Sequence, residues 1–218
     1  MSTSTGRRAP EHRGPSGPRA DSKRRAITQA ALNVFLAEGF DASVDRIASV
    51  AGVSKVTVYN HFGSKEDLFR EVIYAQLDDA LAGASSLVKS RLIATVDLKA
   101  DLIAICQAWV AGLSSPEMIG LRNLVAGESR RFPDLGATWM ERGPERLHAV
   151  IGYALRELVD RKLLMIPDIE LAVLQLSGLV LSPHQVYGAF GQRLDADLTR
   201  RLAESGVEMF LAHYRYRG

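Results

Sequence analysis

The chain has 218 residues, enough for one large domain or two small ones around a real core. Its 47% hydrophobic and 24% charged residues are the composition of an ordinary globular protein. The single cysteine, Cys106, excludes an internal disulfide framework and a multi-cysteine metal site within one chain, and suits a reducing cytoplasm. The net charge of +2 hides an asymmetry: residues 1–65 hold ten basic and five acidic residues, and the remainder holds seventeen and twenty. The first part therefore carries +5 and the rest −3, as expected if the first part meets a polyanion.

Residues 1–20, "MSTSTGRRAPEHRGPSGPRA", offer almost nothing apolar to bury and read as a disordered basic tail. They lack the apolar run of a secretion signal, so a cytoplasmic location is expected. Helix one is expected over about 22–38, where Ile27, Ala30, Ala31, Val34 and Phe35 recur at helical spacing before Gly39. A short second helix follows, with Ser43 as N-cap and Ile47, Ala48 and Ala51 as its apolar face. Gly52 interrupts it and Ser54 offers another cap, which outlines a helix-turn-helix.

The segment "KVTVYNHF" (55–62) is rich in β-branched and aromatic residues and would suit a strand on propensity alone. A lone strand among helices would leave its backbone unpaired, so a helix is expected, anchored by Val58 and Phe62. Its other face is expected to present Lys55, Thr57, Tyr59, Asn60 and His61, side chains that bond phosphates or base edges. Ser64 and Asp67 then form a capping-box pair that opens a longer helix over about 64–82. Further helices are expected near 97–113, 117–130, 145–163, 168–181 and 195–214, punctuated by Pro116, Pro133, Pro144, Pro167 and Pro183. The stretch 171–181 is too short to cross a bilayer and reads as a buried helix, so no membrane partner is expected.

The run "VDRIASVAGVSKVTVYNHFGSKEDLF" (44–69) resembles the DNA-binding signature of the tetracycline-repressor (TetR) family of bacterial transcription regulators. The matching elements are Ile47, Ala48, "AGVS" at 51–54, Thr57, Tyr59, "HF" at 61–62 and "SKE" at 64–66, with "GF" at 39–40 before them. Val56 departs from the small residue common in the family. "LRNLVAGESRRFPDLG" (121–136) resembles the AefR-like C-terminal subtype.

The resemblance implies an all-α fold: an N-terminal three-helix helix-turn-helix DNA-binding domain over 21–66, and a C-terminal helical bundle over 67–218 for ligand binding and dimerisation. It implies a ligand-responsive repressor that binds a palindromic double-stranded DNA operator as a homodimer, with half-sites about 34–36 Å apart or a multiple of that. Lys55 is the expected base contact; Thr57, Asn60 and His61 are left open between base and backbone. Ser43, Ser54, Tyr59 and Lys65 are expected on phosphates, although the serines also read as plain caps. Arg7, Arg8, Arg13 and Arg19 of the tail, with Lys23, Arg24 and Arg25, are expected to add sequence-independent affinity. The last two helices are candidates for the dimer interface.

A small-molecule effector would need an apolar pocket with a few polar groups. Trp109, Met118, Arg122, Trp139, His148, Tyr153, His184 and Tyr187 are its candidate lining.

Two other classes compete. An enzyme is disfavoured: "GSKE" lacks the first glycine of a phosphate loop, where Val58 stands, and the five histidines show no metal-binding spacing. No cofactor is therefore expected. A helical protein-interaction module without sequence-specific DNA binding is the alternative if the basic first third does not bind DNA.

Overall fold

The computed structural model describes residues 15–214, so the expectations for Arg7, Arg8 and Arg13 lie outside the described residues. Among the described residues all regular structure is helical. The chain divides into two compact units, Met1–Val72 and Ile73–Gly218.

In the first unit, α1 spans Pro18–Glu38, α2 Val44–Ala51 and α3 Lys55–Phe62, and α4 (Lys65–Leu87) begins. Helix α1 starts four residues before the expected position. Pro18 occupies its first turn, where a missing N–H costs nothing and the fixed φ is already helical. Residues 18–20 of the expected tail are therefore helical. Helices α2, α3 and α4 each begin under a serine. Ser43, Ser54 and Ser64 accept from the N–H groups of Arg46, Thr57 and Asp67 at 3.1, 3.1 and 3.0 Å. Such caps contribute about 1 kcal/mol each, which matters for helices of eight residues. The centre of the unit is a ring trio, with Phe35 of α1 and Phe40 of the following loop 4.9 and 5.2 Å from Phe69 of α4.

In the second unit α4 continues to Leu87 and relaxes into a π-helical turn, Val88–Leu92. There follow α5 Leu98–Leu113, α6 Pro116–Glu128, α7 Pro133–Met140, α8 Arg146–Asp160, α9 Ile169–Ala189 and α10 Ala196–His213. Helix α7 has no counterpart in the sequence-based expectation. It buries only Leu135 and Thr138, too few positions to print a helical period. Two prolines do not end helices as expected. Pro144 sits in a π-helical turn, Glu141–Glu145, whose wider backbone accepts the ring. Pro183 lies inside α9, which runs eight residues past the expected end at 181 because Val180, Leu181, His184 and Gly188 keep one face buried on both sides of it.

The core of this unit gathers Leu102, Ile105 and Trp109 of α5, Leu155 and Leu158 of α8, Val180 of α9, and Val207 and Phe210 of α10. Tyr214 closes it: its carbonyl accepts from the Met165 N–H at 3.1 Å and its hydroxyl donates to Gln175 Oε1 at 2.6 Å. No single helix among the described residues is long and apolar enough to cross a membrane.

Helices α4 and α5 cross closely at Gly112, where an added Cβ would lie 1.9 Å from the Ala80 carbonyl oxygen. That obstacle is backbone and cannot swing aside. Gly112→Ala should therefore destabilise the protein by about 1–3 kcal/mol, read as a lowered urea midpoint, whereas Gly127→Ala, in open space, should not.

Candidate nucleic-acid interface and ligand cavity

Helix α2 ends at Gly52 in the left-handed conformation (φ 66°), which glycine adopts without strain. The N–H groups of Gly52 and Val53 turn back to the carbonyls of Ser49 and Ala48 at 3.3 and 3.0 Å, and Ser54 then starts α3.

Helix α3 buries Val58 and Phe62 to 2% and 3% exposure, as the sequence led us to expect. His61 does not face outward with the polar set: it is buried to 4%. The reason is helical spacing, since residue 61 lies three positions from Val58 and shares its face. Its carbonyl accepts from Arg24 Nη1 at 2.9 Å. Arg24 also bonds Glu71 through Nη2 at 2.7 Å and lies 4.5 Å from the Phe62 ring centroid. Arg24 is thus a clamp joining α1, the end of α3 and α4, as well as a cation. Lys65 lies 4.7 Å from the Phe40 ring centroid and points at the Ala42 carbonyl.

The outward face of α3 consists of Lys55, Val56, Tyr59 and Asn60, with Thr57 half-buried and hydrogen-bonded to Ser54 at 2.8 Å. Ser43, Ser54 and Lys23 are exposed nearby in the same unit. Val56 is 66% exposed, so its larger side chain stands out from the helix. Helix α3 has no acidic residue of its own, but Asp45 of α2 pairs with Lys55 at 2.7 Å and raises the lysine's pKa through that hydrogen bond. Both partners are exposed, and such pairs are weak enough to exchange for another anion.

In the second unit a cavity of about 340 Å³ opens among α4 to α9. Six of the eight expected residues line it: Trp109, Met118, Arg122, Trp139, His148 and His184. Tyr153 and Tyr187 do not. Both are about half exposed, and Tyr153 lies five residues from His148, about 140° round α8. The walls are otherwise mainly apolar, with Leu77 and Leu81 of α4 among them. The lining also includes Ser114, which the sequence did not single out because it precedes Ser115-Pro116 and reads as part of a cap. Trp109 meets His148 edge-on at 6.1 Å. Burial lowers the pKa of both His148 and His184.

A short helix held by a tight turn, with lysine, tyrosine and asparagine facing out, defines a helix-turn-helix DNA-binding regulator. Comparison with known proteins agrees. The family model for bacterial regulatory proteins of the tetR family matches residues 27–72, and that for the C-terminal domain of AefR-like transcriptional repressors matches residues 100–216. The chain belongs to the TetR family. A TetR-family transcriptional regulator from Mesorhizobium loti MAFF303099 superposes with a TM-score of 0.85 at 33% identity, covering 91% of this chain and 99% of that one. The flavonoid-responsive regulator FrrA superposes with a TM-score of 0.69 at 29% identity, over 88% and 97% of the two chains. The transcriptional activator FasR of Mycolicibacterium smegmatis is 37% identical over 98 residues, 44% of this chain and 42% of that protein. The family and these relatives are regulators of transcription rather than enzymes.

Three histidines share a response to acid. His61, His148 and His184 all have pKa values lowered from 6.5, chiefly by burial, and His61 also by Arg24 and Lys23. Each binds fewer protons folded than unfolded, so stability rises with pH across the window between the folded values and 6.5. Unfolding in urea at pH 7.5 and at pH 5.5 should show the lower midpoint at pH 5.5, and His61→Gln should reduce the difference.

Proposed function

We propose that this chain is a ligand-responsive repressor that binds a palindromic operator as a homodimer. The observation that carries the reading is the outward face of α3. Lys55, Tyr59 and Asn60 project from a helix fixed on its other side by Val58, His61 and Phe62. Lys55 reads guanine acceptors in the major groove, with Thr57 and Asn60 beside it. Ser43, Ser54, Tyr59, Lys23 and Lys65 hold phosphates, the two serines at helix N-termini whose N–H groups favour anions. Residues 21–66 carry DNA binding, residues 67–218 carry pairing and ligand response, and the basic tail, residues 1–20, adds affinity without sequence preference. A cytoplasmic location follows from this role.

Pairing through α9 and α10 is supported by apolar side chains left outside the core: Leu171 and Leu174 on α9 and Met209 on α10 are 48%, 51% and 58% exposed. A small-molecule effector is supported by the cavity and by FrrA, whose name records a response to flavonoids. Repression is supported by the AefR-like repressor match, and activation is the second reading because FasR is an activator.

Selection of bound fragments from random DNA should return a palindrome with half-sites on one face of the duplex. An unstructured pool would favour the interaction-module alternative. On the selected site Lys55→Ala should cost about 1–3 kcal/mol and less on random DNA, and equal losses would move Lys55 to the backbone. Removing residues 1–20 should flatten the dependence of log affinity on log salt. Leu174→Glu should shift sedimentation from dimer to monomer with helical content unchanged, and weaken operator binding. A dimer that survives it places the interface elsewhere.

A further inference from the structure

A second cavity of about 420 Å³ adjoins the first, and Ser114, Ile119 and His184 line both. They form the waist between the two spaces. His184 is 8% exposed, and its Nε2 is buried with no hydrogen-bond partner; Ser114 Oγ is in the same condition. Unpartnered buried polar atoms are rare in folded proteins and call for an explanation such as an absent water, ion or ligand. Here two of them occur on the walls of the same pair of cavities.

The charge of the first cavity points one way. Arg122 is its one lysine, arginine, aspartate or glutamate, and no carboxylate lines it. The bonds Arg122 makes to the Gln185 carbonyl and Asn123 Oδ1, at 3.4 and 3.5 Å, both use Nη1. The other three of the five guanidinium N–H donors lie on Nε and Nη2. Gln185 adjoins His184 in α9, so the guanidinium is tied next to the waist. The rest of the wall is mainly apolar or aromatic, with His148, Ser177 and Gln185 its other polar side chains, which suits a hydrocarbon body over a hydrated one.

We propose that the paired cavities take an apolar organic acid, its carboxylate held at the waist by Ser114 and His184 on the side of Arg122. The inference rests on the reading of this cavity as the effector site and gives that effector a chemical class. The carboxylate accepts from the Ser114 hydroxyl, from Nε2–H of a neutral His184 and from Arg122, while its hydrocarbon lies against Leu77, Leu81 and Trp109. A cationic amphiphile of the same length meets Arg122 unfavourably, and a neutral one forgoes the charge-assisted bond.

The chain carries its own reporter, since Trp109 and Trp139 are its two tryptophans and both line the cavity. Intrinsic fluorescence and thermal shift of the full chain should be followed against dodecanoate, methyl dodecanoate and dodecylammonium. Dodecanoate should bind at least about tenfold more tightly than dodecylammonium, the discrimination expected of one charge-assisted contact. Arg122→Gln should abolish most of that ratio while leaving the affinity for methyl dodecanoate unchanged. Ser114→Ala should weaken dodecanoate binding alone, with the unliganded melting temperature held or raised because an unpartnered hydroxyl has been removed. Equal binding of all three probes, or an acid preference that survives Arg122→Gln, would overturn the head-group assignment while leaving the effector cavity standing. Failure of every probe to change either signal would overturn the effector reading beneath it.

Discussion

The packing of α3 against its own unit is the constraint from which its outward surface follows. Eight residues, "KVTVYNHF", include three β-branched side chains and are far shorter than the roughly 12–15 residues that an isolated helix needs to be even marginal in water. The segment is helical because Val58, His61 and Phe62 are buried, Ser54 caps one end and the Gly63 N–H returns to Tyr59 at the other. Burial of one large apolar side chain is worth about 1.5–3 kcal/mol, more than the propensity deficit of several poor helix formers. Arg24 reinforces the arrangement by taking the His61 carbonyl while bound to Glu71. Order on the outward face is thus borrowed from the inward one, and a mutation on either face is felt on both.

That arrangement also sets the electrostatics. Arg24 and Lys65 are cations by count, yet each lies over an aromatic ring and points at a backbone carbonyl. Their charge reaches the surface from fixed positions. Lys55 is different: its exposed partner Asp45 orients the side chain in the free protein at small cost to its later release. Among the described residues the cations of this unit therefore differ: Arg24 and Lys65 also help to build it, and Lys55 holds a partner that it can exchange for another anion.

Much of this was legible in the sequence because helical spacing is a strong signal and serine, glycine and proline mark the ends. The anchors Val58 and Phe62, the three serine caps and the turn at Gly52 follow from spacing and residue type alone. His61 was misplaced because its polarity outweighed its position, although a residue three along from a buried valine shares its face. Helix α7 was invisible because two buried residues print no period, and α9 outran its expected end because tertiary contacts outweigh a single lost hydrogen bond at Pro183. Six cavity residues, five aromatic or polar and one methionine, are legible as the residue types that a mainly apolar pocket needs. Ser114 was not, because nothing local separates a serine at a cavity waist from one beside a cap.

A ligand changes a regulator only through the difference in its affinity for two states. The waist of the cavity supplies a physical source for such a difference. Ser114 Oγ and His184 Nε2 are buried without hydrogen-bond partners, and a buried group left unsatisfied costs about 1–3 kcal/mol. A ligand oxygen that accepts from both recovers that cost in addition to its own contacts, and does so only in a packing that keeps α5 and α9 at this separation. An alternative packing in which the two side chains find each other or solvent would have no such deficit to recover. On the proposed reading the orphaned pair makes the present arrangement the one that gains more from an acid, and the size of that gain would bound how far such a ligand could shift the population.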